Sequence, residues 1–204
     1  LAELIRQHSL SVIAIGNGTA CRQTEQLISE IIGGELADLD AHYVVVNEAG
    51  ASVYSTSEIG REEFPECDAI QRSAISIGRR LQDPLSELVK IDPASIGVGL
   101  YQHDARAKHL RDTLDDVVQS CVSFVGVDLN SASAPLLRYV SGMNQLTARR
   151  VYEHRLQNGA FSNRQQLLEV SGCGEATFVQ AAGLLKIVGG DNPLDATWIH
   201  PENY

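Results

Sequence analysis

The sequence predicts an α/β domain followed by an all-α module made of two helical hairpins. In the first ninety residues, helix-like segments alternate with two short apolar segments of the strand type. Beyond residue 130, two glycine-containing turns thirty residues apart each separate two helix-like segments. Residues 1–130 carry 10 basic and 20 acidic side chains, whereas residues 131–190 carry 6 and 3. This division favours contact between the helical module and a polyanion.

The predicted strands of the first domain are residues 11–15 and 43–47. Helical spacing over 1–7 precedes the first strand, and a helix over 20–32 follows it, with Thr19 as the expected N-cap. Both strands are apolar throughout, which predicts a sheet covered on both faces. Functional residues are then expected at the carboxyl ends of these strands.

A second group of helices follows the strands. Asp68 is expected to open a helix over 69–81, in which Ile70, Ala74, Ile77 and Leu81 share one face. A short helix over 84–89 and a longer one from about 104 to 122 come next. The predicted domains are residues 1–91, a linker with a connecting helix over 92–114, the hairpin module over 115–188, and the start of a further helical element over 189–204.

The two turns, 141–144 and 171–174, predict a tandem helix-hairpin-helix unit. In each, an apolar run stops at a glycine that can adopt positive φ, and a helix restarts just after it. Such a turn directs backbone N–H groups and the positive end of a helix dipole outward, which suits a phosphate oxygen. The expected contact is therefore with a nucleic-acid backbone, independent of base sequence. It does not distinguish DNA from RNA, because it reads neither the 2′-hydroxyl nor the bases.

The candidate residues for this contact lie in the turns and on the helix after the first turn. Asn144 is expected to replace glycine at a left-handed position. Since the second hairpin's helix has only Glu175 nearby, the first hairpin is expected to supply arginine contacts and the second its turn geometry. Two alternatives stay open: Arg155 pairs with a neighbouring acid, or the hairpins serve only as packing elements. The candidates are Gly142, Asn144, Arg149, Arg150, Arg155, Gly172 and Gly174.

Composition excludes several other classes of protein. The chain is 44% apolar, yet no run approaches the roughly 20 apolar residues that span a bilayer. Its four cysteines are far apart and form no C-x-x-C motif, so neither a zinc site nor a disulfide framework is expected. We expect an intracellular protein without cofactor or membrane contact, and both ends of the chain have the character of a fragment.

Several short segments in this order resemble the Tex family of transcription accessory proteins. They are AIGNGTA (14–20), NEAGASVYS (47–55), RRLQDPL (79–85), ELVKI (87–91), IGVG (96–99), YQHD (101–104) and NPLDA (192–196). The resemblance covers nearly the whole chain and includes eukaryotic relatives that carry a C-terminal RNA-binding OB-fold. It implies an RNase H-like domain of the YqgF type, incomplete at its N-terminus, then tandem helix-hairpin-helix motifs. It also implies a parent that binds nucleic acid in transcription, in a bacterial cytoplasm or a eukaryotic nucleus.

The resemblance also raises a nuclease alternative. RNase H-like nucleases of the resolvase kind hold divalent metal ions with several carboxylates. Glu48 closes the second strand and Asp68 heads the following helix, so these two acids are the catalytic candidates, with Mg²⁺ as the metal. The structural alternatives are that Glu48 is only an acid at the end of a strand and that Asp68 is only a helix N-cap. We expect no catalysis, and we keep a protein-binding scaffold for the transcription machinery as a further alternative.

Overall fold

The computed structural model describes all 204 residues and divides the chain into two compact units, Leu1–Gly97 and Val98–Tyr204. None of its helices is both long enough and apolar enough to cross a membrane. The first unit is the expected α/β domain and the second is the expected helical module, so the predicted fold class is confirmed.

The first unit is built on a two-stranded parallel sheet. Strand β1 (Val12–Gly16) pairs with β2 (His42–Val46), so that Val12 lies opposite His42 and Gly16 opposite Val46. A helix connects the two strands, as parallel pairing requires. The helices of this unit are α1 (Ala2–His8), α2 (Cys21–Gly33), α3 (Ala51–Thr56), α4 (Glu58–Glu63), α5 (Ala69–Gln82), α6 (Pro84–Leu88) and α7 (Pro93–Ile96).

Two details of this sheet region differ from the sequence predictions. Helix α2 begins after Ala20, and no side chain caps it, so Thr19 is not its N-cap. The side chains of Val12, Val44 and Val45 are 46%, 39% and 43% exposed, so the sheet is not covered on both faces. Each strand of this two-stranded sheet is also an edge strand, with unpaired backbone groups along its outer side.

Helix α5 begins where predicted but packs with a different face. Asp68 and Gln71 form a reciprocal capping box at its start. Ile70, on the predicted apolar face, is 80% exposed, whereas Ser76 and Arg80 are buried. The arginines of the packed face, Arg72 and Arg80, donate to main-chain carbonyl oxygens outside the helix, whereas Nε and Nη2 of Arg80 and the hydroxyl of Ser76 are buried without a partner.

A buried ionic cluster stabilises the packing of α3, α4 and α6. Lys90 Nζ lies 2.6 Å from Glu87 and 3.0 Å from Glu63, and the hydroxyl of Tyr54 donates to Glu63 at 2.6 Å. Burial and the adjacent Glu63 raise the pKa of Tyr54, so the phenol stays protonated and remains a donor. The mutual pairing explains how these charged side chains are tolerated in the interior.

The second unit opens with the long helix α8 (Ala107–Val125), which begins and ends about three residues later than predicted. The first hairpin joins α9 (Ala134–Leu137) to α10 (Gln145–Asn158). The second joins a 3₁₀ helix (Arg164–Glu169) to α11 (Glu175–Ala181). Strands β3 (Val127–Asp128) and β4 (Leu185–Lys186) form a short parallel bridge.

The last residues pack onto the second hairpin within this unit. They form two 3₁₀ helices, Pro193–Ala196 and Pro201–Asn203. Arg164, 2% exposed, donates to the carbonyl oxygens of Leu185, Thr197 and Ile199 and to the hydroxyl of Tyr204. One buried guanidinium therefore ties the tail to the hairpin.

Candidate nucleic-acid interface

Both predicted turns contain a glycine in the left-handed region. The φ angle is 81° at Gly142 and 87° at Gly172, as the sequence predicted. A Cβ placed on Gly142 would lie 2.8 Å from the Cβ of Gln180 and 3.2 Å from the carbonyl oxygen of Thr177. A Cβ on Gly172 would lie 2.5 Å from Nη1 of Arg150. Each turn therefore packs against the second helix of the other hairpin, and glycine allows this close approach.

Asn144 does not adopt the left-handed conformation that we predicted. Its φ of −129° and ψ of 177° are those of an N-cap residue. Its Oδ1 accepts hydrogen bonds from the backbone N–H groups of Leu146 and Thr147 at 2.9 and 3.0 Å, and Thr147 Oγ1 accepts one from Asn144 N–H at 2.8 Å. Capping prevails because it satisfies N–H groups that the first turn of a helix leaves without partners.

The second hairpin lacks this cap. Gly174 occupies the corresponding position, with φ −81°, and has no side chain to accept hydrogen bonds. The N–H groups of Gly174, Glu175 and Ala176 make no hydrogen bond within the chain, and all three residues are exposed. The second turn thus presents these free donors to solvent, whereas in the first turn the N–H groups of Asn144, Leu146 and Thr147 are bonded within the cap.

The three predicted arginines occupy three different environments. Arg149 is 72% exposed and pairs with Glu153 at 2.9 Å. Arg155 is partly buried and donates to the carbonyl oxygen of Leu129 at 2.8 Å, and burial lowers the pKa of its guanidinium. Arg155 therefore supports the loop after β3 and does not pair with an acid.

Arg150 lies at the second hairpin, although its helix belongs to the first. Its Nη1 donates to the carbonyl oxygen of Ser171 at 3.2 Å. Thr147, one turn earlier on α10, also faces this turn, because its Cγ2 is 3.7 Å from the Cβ position of Gly172. The structure thus places a cation beside the turn for which the sequence offered only Glu175.

The remaining basic side chains of the module are less available for contact with a ligand. Arg164 is buried, and Arg138 contacts Tyr139 and Asp115. Lys186 lies over the ring of Trp198, 3.4 Å from its centroid, in a cation–π arrangement. The charge that can reach a ligand is therefore smaller than the sequence count of six suggests, and it centres on Arg150, because Arg149 pairs with Glu153.

The nuclease candidates do not form a metal site. The carboxylate of Glu48 lies against Gly16 and Gly18, where any Cβ would collide with it, and Glu48 N–H donates to Asn17 Oδ1 at 3.0 Å. Arg80 holds this loop by donating to the carbonyl oxygens of the residues on either side of Glu48, at 2.7 and 2.9 Å. Arg80 thus helps to hold the loop in place, with an acid at the strand end as predicted.

Asp68 serves as a helix cap. Its Oδ1 accepts from Gln71 N–H at 2.8 Å, and its own N–H donates to Gln71 Oε1 at 2.9 Å. Nowhere in the chain do three His, Cys, Asp or Glu side chains come together in a way that could hold a metal ion. Mg²⁺ prefers near-octahedral oxygen ligation, so this donor set does not fit it. The expectation of no catalysis stays a prediction.

Known protein families match both units. Residues 1–82 match the Tex protein YqgF-like domain, and residues 122–186 match a helix-hairpin-helix motif. The transcriptional accessory protein Tex of Neisseria gonorrhoeae is 55% identical over all 204 residues. The chain belongs to the Tex family. These matches confirm the resemblance inferred from short motifs. The two matched segments also contain the sites described above.

The relatives with high identity are longer than this chain. Protein YhgF of Escherichia coli (strain K12) is 53% identical over 204 residues, and the human S1 RNA-binding domain-containing protein 1 is 50% identical over 185, which is 90% of this chain. The aligned part is 27%, 26% and 19% of the Neisseria, Escherichia and human proteins. The chain thus spans about a quarter or less of the Tex-family relatives described here.

Three features of this Tex-family chain were missed by sequence reasoning. They are the burial of Arg164 with Asp195, the position of Arg150 at the second turn, and the support of the Glu48 loop by Arg80. Each joins residues that are 21 or more positions apart in the chain. Local sequence carried no signal for these three long-range contacts.

Proposed function

We propose that the second unit binds the sugar–phosphate backbone of nucleic acid, without sequence preference, as part of a transcription accessory protein. The observation that carries this proposal is the open second turn, where Gly172 and Gly174 leave N–H groups without acceptors beside Arg150. Phosphate oxygens are acceptors and carry the opposite charge, so they complement both features.

The family context supports this proposal. Helix-hairpin-helix motifs are elements of nucleic-acid-binding proteins, and relatives of this chain are named as a transcriptional accessory protein and as an RNA-binding-domain protein. An intracellular site of action follows from a role in transcription. Binding to protein components of the transcription machinery is a separate possibility that the hairpins do not require.

The small number of available cations sets the expected affinity. If one or two phosphates are neutralised, the dissociation constant is about micromolar or weaker at physiological salt. The logarithm of the association constant should fall with the logarithm of salt concentration, with a slope between about −1 and −2. Tighter binding by a longer parent protein would come from additional binding domains through effective concentration.

The test is fluorescence anisotropy of labelled single-stranded RNA, single-stranded DNA and duplex DNA with the whole chain over a salt series. Gly172→Ala is the diagnostic variant, and Gly159→Ala is its matched control. Both glycines have nearly the same φ, 87° and 89°, but a Cβ on Gly159 meets nothing within 4 Å. We expect Gly172→Ala to weaken binding by about tenfold, the equivalent of one charge-assisted hydrogen bond.

The ranking of the three ligands would decide between DNA and RNA. Equal affinity of the two glycine variants would remove the second turn from the interface. If no ligand binds even at low salt, the hairpins are packing elements, and a protein-binding scaffold becomes the better function.

Catalysis is not part of the proposal. Incubation of the chain with branched DNA and Mg²⁺ should yield no product over hours. A cleavage product that disappears in Glu48→Gln would contradict this expectation and would revive the nuclease alternative.

A further inference from the structure

Arg150 is placed to serve a hairpin other than its own. It lies on α10, in the first hairpin. Its guanidinium nevertheless donates to the carbonyl oxygen of Ser171 at 3.2 Å, and its Nη1 lies 2.5 Å from the position of a Cβ on Gly172. Thr147 and Arg150 are three residues apart and therefore share a face of α10. That face lies against the second turn, whereas Arg149 points to solvent and pairs with Glu153.

The contact with Ser171 leaves most of the guanidinium free. An arginine has five N–H donors, and Arg150 uses one of them within the chain. The side chain is partly exposed at this position. The carbonyl contact therefore orients the guanidinium and leaves donors that can form two parallel hydrogen bonds with a phosphodiester.

The second hairpin needs a cation from elsewhere. Its own helix carries Glu175 in the first turn and no basic residue, and the basic Arg164 in the preceding helix is buried. An anion at this turn would otherwise meet only the charge of Glu175. A guanidinium beside Gly172 offsets that charge at short range.

We propose that Arg150 supplies the cation for a phosphodiester bound at the second turn, so that the two hairpins build one composite phosphate site. This inference rests on the proposed function, because it names the residue through which the same surface contacts nucleic acid. In this site α10 provides the guanidinium and the turn Ser171–Gly172–Cys173 provides the backbone approach. The first turn, covered by α11 at Gln180, is not required for the contact.

The experiment compares Arg150→Gln with Arg149→Gln in the whole chain. Both variants remove one positive charge from neighbouring positions of one helix, so the change in long-range attraction is the same. Anisotropy titrations with duplex DNA and single-stranded RNA are made over a salt series, after circular dichroism has shown that both variants are folded. Arg150→Gln should weaken binding by about tenfold and reduce the salt slope by about one unit. Arg149→Gln should weaken binding only about twofold, because Glu153 already neutralises that arginine.

A double-mutant cycle tests whether Arg150 acts through the second turn. The effects of Arg150→Gln and Gly172→Ala should not add, since both disturb the same phosphate contact. The effects of Arg150→Gln and Gly159→Ala should add. Additive behaviour in the first cycle would show that Arg150 contacts the ligand elsewhere and would overturn the composite site.

The outcomes separate this inference from the proposed function. If the unaltered chain binds and Gly172→Ala weakens it, but the two arginine variants are equal, the proposed function stands and the role of Arg150 is wrong. If the unaltered chain binds neither ligand, the proposed function is wrong and the composite site is wrong with it.

Discussion

The first hairpin closes its own turn, whereas the second leaves its turn open. In the first, Asn144 accepts hydrogen bonds from two N–H groups of α10, and α11 covers Gly142. In the second, Gly174 provides no cap, and the one close neighbour of a Cβ on Gly172 is the end of the flexible Arg150 side chain. The same turn geometry thus serves packing in one copy and presents donors in the other.

This difference shows that a hairpin motif does not by itself define a binding site. The capping residue decides whether backbone donors are available, and the neighbouring helix decides whether the turn is accessible. A side-chain cap and a phosphate compete for the same N–H groups. The two hairpins therefore share one turn pattern but differ in the backbone donors that they expose.

The largest expected effect concerns the anchoring of the second hairpin. Arg164→Ala would leave Asp195 buried without its partner and should lower the free energy of unfolding by about 3–5 kcal/mol. Arg155→Ala, which removes the hydrogen bond that joins the first hairpin to the loop after β3, should lower it by about 1.5–3 kcal/mol. Urea unfolding measures both, with the exposed Gln165→Ala as control. Equal losses for the two arginines would show that the hairpins are anchored equally.

The next effect distinguishes the two turn glycines. Gly142→Ala combines left-handed strain with overlap against Gln180 and the Thr177 carbonyl, and should cost about 2–4 kcal/mol. Gly172→Ala carries similar strain but meets the movable end of Arg150, so it should cost about 1–2 kcal/mol. Gly159→Ala, in open space, reports the strain of a positive φ without any overlap, at a ψ of −171°. A larger loss at Gly172 than at Gly142 would reverse the comparison.

A smaller effect is expected from the caps. Asn144→Ala should lower the free energy of unfolding by about 1 kcal/mol, because two N–H groups lose their acceptor. Gly174→Ala removes no side-chain acceptor and should cost less, roughly half a kcal/mol, because glycine is a weaker N-cap than asparagine but a better one than alanine. Thermal or urea unfolding of the two variants gives the difference directly. Equal values would mean that the Asn144 cap contributes nothing.

The smallest stability change accompanies a change in binding. Gly174→Asn would give the second hairpin the cap that the first already has, and should stabilise the fold by a few tenths of a kcal/mol, on the order of a glycine-to-asparagine N-cap difference. The same variant should weaken nucleic-acid binding severalfold, since the new side chain occupies the free N–H groups. Unchanged affinity in a folded Gly174→Asn variant would show that these groups do not contact the ligand.

Local sequence signals predicted the parts of the fold that depend on neighbouring residues. The glycines at 142 and 172 predicted positive φ because a side chain is strained there, and Asp68 with Gln71 predicted a helix start. Asn144 was misassigned because asparagine suits both a left-handed turn and an N-cap. Thr147, three residues later, completes the capping box and could have decided between the two.

By itself, the sequence determined the order of the two units, the family and the positions of both turns, since these depend on periodicity, turn chemistry and short motifs. Only the tertiary structure decided which charges are available: Arg164 is buried, Arg155 supports a loop, and Arg150 reaches the other hairpin. The physical reason is that burial and pairing of a charge depend on residues distant in the chain, which local pattern does not encode.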